Sequence, residues 1–69
     1  MIVNKFPERF MELLETRGFS QYAFAKKYGF HKATVNDWCR GRTQPNIETI
    51  LLICRELEES SDYLLGLVD

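Results

Sequence analysis

Residues 20–45, SQYAFAKKYGFHKATVNDWCRGRTQP, carry start, turn and stop signals for two short helices joined by one tight turn. Ser20 is a helix-capping residue, since its side-chain oxygen can accept a hydrogen bond from a free amide of the following turn. Gly29 falls where a helix closes on a left-handed residue, a conformation that glycine adopts without steric cost. A second helix then begins at His31 and is stopped by Gly41, so the stretch predicts helices over 20–28 and 31–40. Phe24, Ala25 and Tyr28 share one face of the first, and Val35 and Trp38 share one face of the second. The pair can therefore close over a common core.

The other side of the second helix has a different composition. Lys32, Ala33, Asn36, Asp37 and Arg40 follow the spacing i, i+1, i+4, i+5, i+8, which gathers them on the face opposite Val35 and Trp38. A helix that is anchored on one side and polar on the other can be presented to the major groove of duplex DNA.

Outside this stretch the periodicity remains helical, and the reading is all-α with five helices. Pro7 suits a first helical position, and Phe6, Phe10, Leu13 and Leu14 form an apolar stripe that ends at Gly18, giving a helix over 7–17. Asn46 is the expected cap of a fourth helix whose inward face would be Ile47, Ile50, Ile53, Cys54 and Leu57. Ser60 or Ser61 caps a fifth, about 61–66. The end of the fourth helix is the least marked boundary, since Glu58 and Glu59 follow it without a glycine stop.

A chain of 69 residues with 45% hydrophobic content and 13% aromatics can build one small core, so residues 1–69 are expected to form a single domain with no sensor or catalytic domain beside it. No apolar run is long enough to span a bilayer and the N-terminus lacks a signal-peptide core, so a cytoplasmic location is expected. The net charge of −1 conceals a partition. Residues 1–19 balance to zero, residues 20–45 carry +4, and residues 46–69 carry −5. A local positive face is what phosphate attraction needs, and the acidic end is tolerated once it lies beyond the screening length of about 10 Å. Lys26 and Lys27 fit phosphate contact and plain solvation of a helix equally well.

The chain resembles the lambda-repressor/Cro-like, or Xre-like, helix-turn-helix family over about residues 6–66. The matching features are Gly18-Phe19-Ser20-Gln21, Ala25, Gly29, Val35, Trp38, Gly41-Arg42, Pro45, Ile47-Glu48-Thr49, Leu57 and Asp62-Tyr63-Leu64-Leu65-Gly66, in order and at the right spacing. The resemblance implies a compact five-helix domain that binds DNA, usually as a dimer. By that resemblance Gln21, at the start of the second helix, bonds a phosphate beside the free amides. Lys32 and Ala33 occupy the first outward turn of the recognition helix, where a lysine can donate to guanine and an alanine can touch a thymine methyl. Asn36 can bond adenine or phosphate. Asp37 can accept from a cytosine amine but repels phosphates, which opposes nonspecific binding. Arg40, Arg42, Thr43, Gln44 and the amide of Asn46 would lie along the sugar-phosphate backbone, although a cation at a helix C-terminus such as Arg40 also has a purely electrostatic rationale. His31 is open to a capping or a phosphate-contacting role, and Tyr22 reads as a surface tyrosine.

One departure from the family concerns an ion pair between the first and third helices. The positions that many members fill with arginine and glutamate are Leu14 and Cys39 here, so both partners have been exchanged for apolar groups, a replacement that is often neutral or stabilising. Cys39 and Cys54, 15 positions apart and without a CxxC, read as buried thiols with no zinc or redox role. No cofactor or metal is implied.

The leading expectation is a sequence-specific double-stranded DNA-binding transcriptional regulator, acting as a repressor on a palindromic operator as a homodimer. The alternative is a protein-interaction module that keeps the fold without DNA affinity, suggested by the pI of about 5.8 and by Asp37. An enzyme is disfavoured, because one histidine and no facing nucleophile and base leave nothing to build a site from. Dimerisation is expected to use apolar residues that the core does not need: Leu52, Tyr63, Leu67 and Val68.

Overall fold

A computed structural model describes residues 4–68, which form five α-helices: α1 (Phe6–Thr16), α2 (Gln21–Tyr28), α3 (Lys32–Arg40), α4 (Ile47–Glu56) and α5 (Ser61–Leu65). The starts follow the expected capping chemistry. Ser20 Oγ accepts from the Ala23 amide at 3.0 Å, Asn46 Oδ1 from Thr49 at 2.8 Å and Ser60 Oγ from Tyr63 at 3.2 Å, each meeting an amide that the helix itself leaves unpaired. His31 occupies the cap position of α3 with extended backbone, yet its imidazole makes no capping bond, so the capping reading of that side chain is corrected. α1 starts one residue before Pro7, with Asn4 Oδ1 accepting the Phe6 amide at 2.8 Å.

All five helices stop in the same way. The amides of Phe19, Phe30, Arg42, Glu59 and Leu67 each return to the carbonyl five residues back at 2.8–2.9 Å, across a residue with left-handed backbone. Four of those residues are Gly18, Gly29, Gly41 and Gly66, and the fifth is Glu58 at φ 54°.

The core is built around rings. Phe10 meets Phe24 and Trp38 edge-on at 5.3 and 6.1 Å, Phe6 stacks on Phe10 at 5.1 Å, and Phe30 stacks on Phe24 while meeting Trp38 edge-on at 5.1 Å. Phe30 belongs to the turn between α2 and α3, where no periodicity marks it as a core residue. Leu13, Val35, Ile53, Leu57 and Leu64 complete the interior. Leu14 and Cys39 are both buried, as expected of a packed substitute for an ion pair. Cys54 is only half-buried, which corrects its reading as an interior thiol.

Two arginines, Arg9 within α1 and Arg17 at its C-cap, tie down the far end of the chain. Arg17 Nε donates to the Leu57 carbonyl at 2.9 Å, where α4 ends, and Arg9 Nη1 donates to the carbonyls of Tyr63 and Val68 at 2.6 Å, where α5 ends. Both supply positive charge to the negative pole of a helix. The Arg9 guanidinium also lies 4.2 Å from the centre of the Tyr63 ring, and the Tyr63 hydroxyl donates to Glu12. Tyr63 is thus engaged within its own chain.

Along α4 the buried stripe centres on Ile53 and Leu57. At about 100° per residue this turns Leu51 outward and leaves Leu52 on the flank. Ile47, expected inside, is 79% exposed, and Leu51 is 61% exposed, whereas Leu52 is half-buried. The free apolar stripe of α4 is therefore Ile47 and Leu51, a correction to the reading that singled out Leu52. Leu67 and Val68 are exposed.

Candidate nucleic-acid interface

α3 is held from behind and open in front. Val35, Trp38 and Cys39 are buried against α1 and α2, which leaves Lys32, Ala33 and Arg40 exposed and Asn36 and Asp37 half-exposed on the other side. The structure therefore brings together the five residues that spacing had grouped. His31 is exposed immediately before them, and Arg42 and Thr43 are exposed immediately after. The apolar anchor makes the direction of this face a property of the core.

Several of these polar groups already have partners. Asn36 Nδ2 donates to Gln21 Oε1 at 3.0 Å, linking the outward face of α3 to the first turn of α2. That bond uses one donor of Asn36 and one acceptor of Gln21, and the Gln21 amine and the Asn36 carbonyl oxygen are not part of it. Gln44 accepts from Asn4 Nδ2 at 2.8 Å, so the segment ahead of α1 supports the loop between α3 and α4. Arg42 Nη1 lies 3.9 Å from Asp37 Oδ1. Tyr22 is 58% exposed on α2, as its spacing implied. Lys27 packs its ammonium 5.4 Å from the Phe19 ring and 5.6 Å from the Tyr28 ring, which directs that lysine along the flank of α2.

The remaining inventory has little reaction chemistry. Burial pushes the Cys39 thiol up, and burial followed by the Glu59 carboxylate pushes up Cys54, so both sulfurs are poorer nucleophiles and ligands than a free thiol. Among the described residues no three His, Cys, Asp or Glu side chains converge to hold a metal ion. An open groove of about 260 Å³ between α1 and α2, lined by Met11, Leu14, Glu15, Phe19, Ser20 and Gln21, offers one carboxylate and one hydroxyl, the latter already capping α2. No helix among the described residues is long and apolar enough to cross a membrane.

A helix-turn-helix family model matches residues 10–64, most of the chain. The chain belongs to the Cro/C1-type helix-turn-helix family. A solved structure described as a transcriptional regulator from Listeria innocua is similar throughout, with a TM-score of 0.87 at 26% sequence identity. The match covers 99% of this chain and 64% of that one, so this chain spans about two thirds of the regulator's length. No curated protein matches the chain.

Within the Cro/C1-type frame, α2 and α3 are the two helices of the motif, with Phe30 filling the turn between them. Two contributors went unread in the sequence. Asn4 buttresses Gln44 from 40 positions away, a separation that local patterns do not bridge. Gln21 and Asn36 were assigned separate contacts, although a glutamine opening α2 and an asparagine on the outward side of α3 have the reach to pair.

Proposed function

We propose that this helix-turn-helix protein is a sequence-specific double-stranded DNA-binding transcriptional regulator that represses from a palindromic operator, with α3 in the major groove. The observation that carries this reading is the face of α3: Lys32, Ala33, Asn36, Asp37 and Arg40 stand clear on a helix whose back is locked by Val35, Trp38 and Cys39. Lys32, Ala33, Asn36 and Asp37 read base edges, while Gln21, His31, Arg40, Arg42, Thr43 and Gln44 position the domain on phosphates. The +4 charge of residues 20–45 supplies the attraction, and the −5 of residues 46–69 orients the molecule with that end away from DNA. A two-fold homodimer would set two recognition helices about 34 Å apart in successive major grooves. The exposed apolar residues available for it are Ile47 and Leu51 of α4 and Leu67 and Val68 after α5, together with the half-buried Leu52 and Tyr63.

The test is selection of bound sequences from random duplex DNA, followed by salt titration of the winner. The reading requires an inverted-repeat consensus and an affinity that falls steeply as salt rises. Absence of salt-dependent duplex binding would instead favour a protein-interaction module, which the pI of about 5.8 and the Asp37 carboxylate on α3 support. Sedimentation equilibrium of the native chain and of Leu51→Glu tests assembly. A dimer that the substitution dissociates is expected, and a native chain that stays monomeric and occupies single half-sites would refute the dimer.

A further inference from the structure

We propose that Asp37 is an internal stand-in for DNA phosphate that occupies Arg42 off the operator and releases it when the correct base is read. The inference rests on the DNA-binding reading above and adds a mechanism by which the same face separates operator from random sequence. Its basis is a juxtaposition of opposite charges across the end of α3. Arg42 Nη1 lies 3.9 Å from Asp37 Oδ1, with the arginine side chain 64% exposed and the aspartate side chain 36% exposed.

The backbone holds this pair together whether or not the charges touch. The Arg42 amide donates to the Asp37 carbonyl at 2.9 Å across Gly41, so the two residues stay adjacent while both side chains rotate. A contact of 3.9 Å between exposed groups is loose and easily exchanged for a competing partner. Residues 20–45 hold five cations and one carboxylate, and that carboxylate is Asp37. An acid there repels every phosphate alike and lowers the charge that Arg42 can offer to any backbone. Only one class of contact reverses this. A cytosine amine donating to Asp37 would satisfy the carboxylate with a base edge and leave the guanidinium free for the nearest phosphate. A base contact and a backbone contact then form together, and a mismatched base forfeits both.

The test is a double-mutant cycle on the full chain with Asp37→Asn, Arg42→Gln and the pair, measured against a selected operator and against a random duplex across a salt series. Asp37→Asn should tighten random-duplex binding about five- to tenfold and steepen its salt slope by about 0.9, the value for one added phosphate contact. The ratio of operator to random affinity should fall accordingly. Arg42→Gln should weaken random-duplex binding less than about twofold in the native background and about fivefold in the Asp37→Asn background, because only there is the arginine free. On the operator it should cost about fivefold in the native background. Unchanged random-duplex affinity and slope in Asp37→Asn, with additive Arg42 effects, would overturn the inference and leave the DNA-binding reading standing. Duplex binding by Asp37→Asn alone would support the inference in its strongest form. Failure of every variant and of the native chain to bind any duplex would overturn the DNA-binding reading, and the inference with it.

Discussion

Glu58 holds a backbone shape that side chains with a Cβ disfavour. At φ 54° it completes the stop of α4 as glycines complete the other four, and an L-residue in this region costs about 1–2 kcal/mol. Glu58→Gly should raise unfolding stability by about 1 kcal/mol, with part of the gain offset by the freer unfolded chain. Urea denaturation checks it, and a loss of stability would show that the Glu58 side chain contributes more than its backbone strain removes. The glutamate was recognisable in sequence as standing where a glycine stop was expected. That it would nonetheless take up the left-handed shape was not, because the closing bond from Glu59 to Cys54 depends on where the chain must turn. Tyr63 offers a second residue-level expectation. Its hydroxyl donates to Glu12, and that bond, with lesser contributions from desolvation and nearby carboxylates, raises its ionisation above the ordinary value of 10.0, while Arg9 over the ring opposes the rise. A phenol that holds its proton more tightly folded than unfolded stabilises the fold at pH below its unfolded value. That contribution is lost as pH climbs through the folded one. Phenolate absorbance should therefore show Tyr63 ionising above the ordinary phenol range, and Glu12→Gln should move it back toward that range.

At the scale of elements, α1 acts as a strap. Arg17, at its C-cap, donates to a carbonyl at the end of α4, and Arg9, within it, to carbonyls at the end of α5, so one helix and its cap support two others at their negative poles. Arg17→Met should destabilise the chain by about 1 kcal/mol, a value kept low because the arginine is solvent-exposed. Thermal unfolding followed by circular dichroism measures this, and an unchanged midpoint would remove Arg17 from the account of α4. The number, order and approximate ends of the helices were legible, since caps, left-handed stops and 3.6-residue periodicity are local signals. Which way α4 faces was less so. Five apolar residues in its pattern admit several rotations about the helix axis. The choice that buries Ile53 and Leu57 while exposing Ile47 and Leu51 is made by α5 and the core, which periodicity does not describe. The outward residues of α3 were legible because Val35 and Trp38 left one rotation open. The partnerships of Gln21 with Asn36 and of Asn4 with Gln44 span separations of 15 and 40 residues and had no local mark.

For the molecule as a whole, cohesion depends on one cluster of rings. Seven aromatic side chains, from Phe6 to Trp38, connect α1, α2, α3 and the turn between α2 and α3, in a body with a radius of gyration of 11.1 Å. Phe10 is fully buried at the centre of this cluster. Phe10→Ala should cost about 3–5 kcal/mol. Domains of this size have total stabilities of about 5 kcal/mol, so the variant should keep at most about 2 kcal/mol and unfold at a much lower temperature or urea concentration than the native chain. Trp38 reports the outcome directly, because a 4% exposed indole has blue-shifted emission and an unfolded one does not. A native-like unfolding midpoint for Phe10→Ala would mean that Phe6, Phe24 and Phe30 collapse to refill the space.

Phe30 stacks on Phe24 and abuts Trp38, wedging the turn from within, so α2 and α3 move as one stiff body. A stiff reader cannot follow a curved groove, and on the proposed docking any misfit in curvature falls to the duplex. Bending energy then becomes part of the recognition code. Between the two half-sites, at base pairs that no side chain touches, operators with pliable pyrimidine–purine steps should outcompete rigid ones of identical contacted sequence.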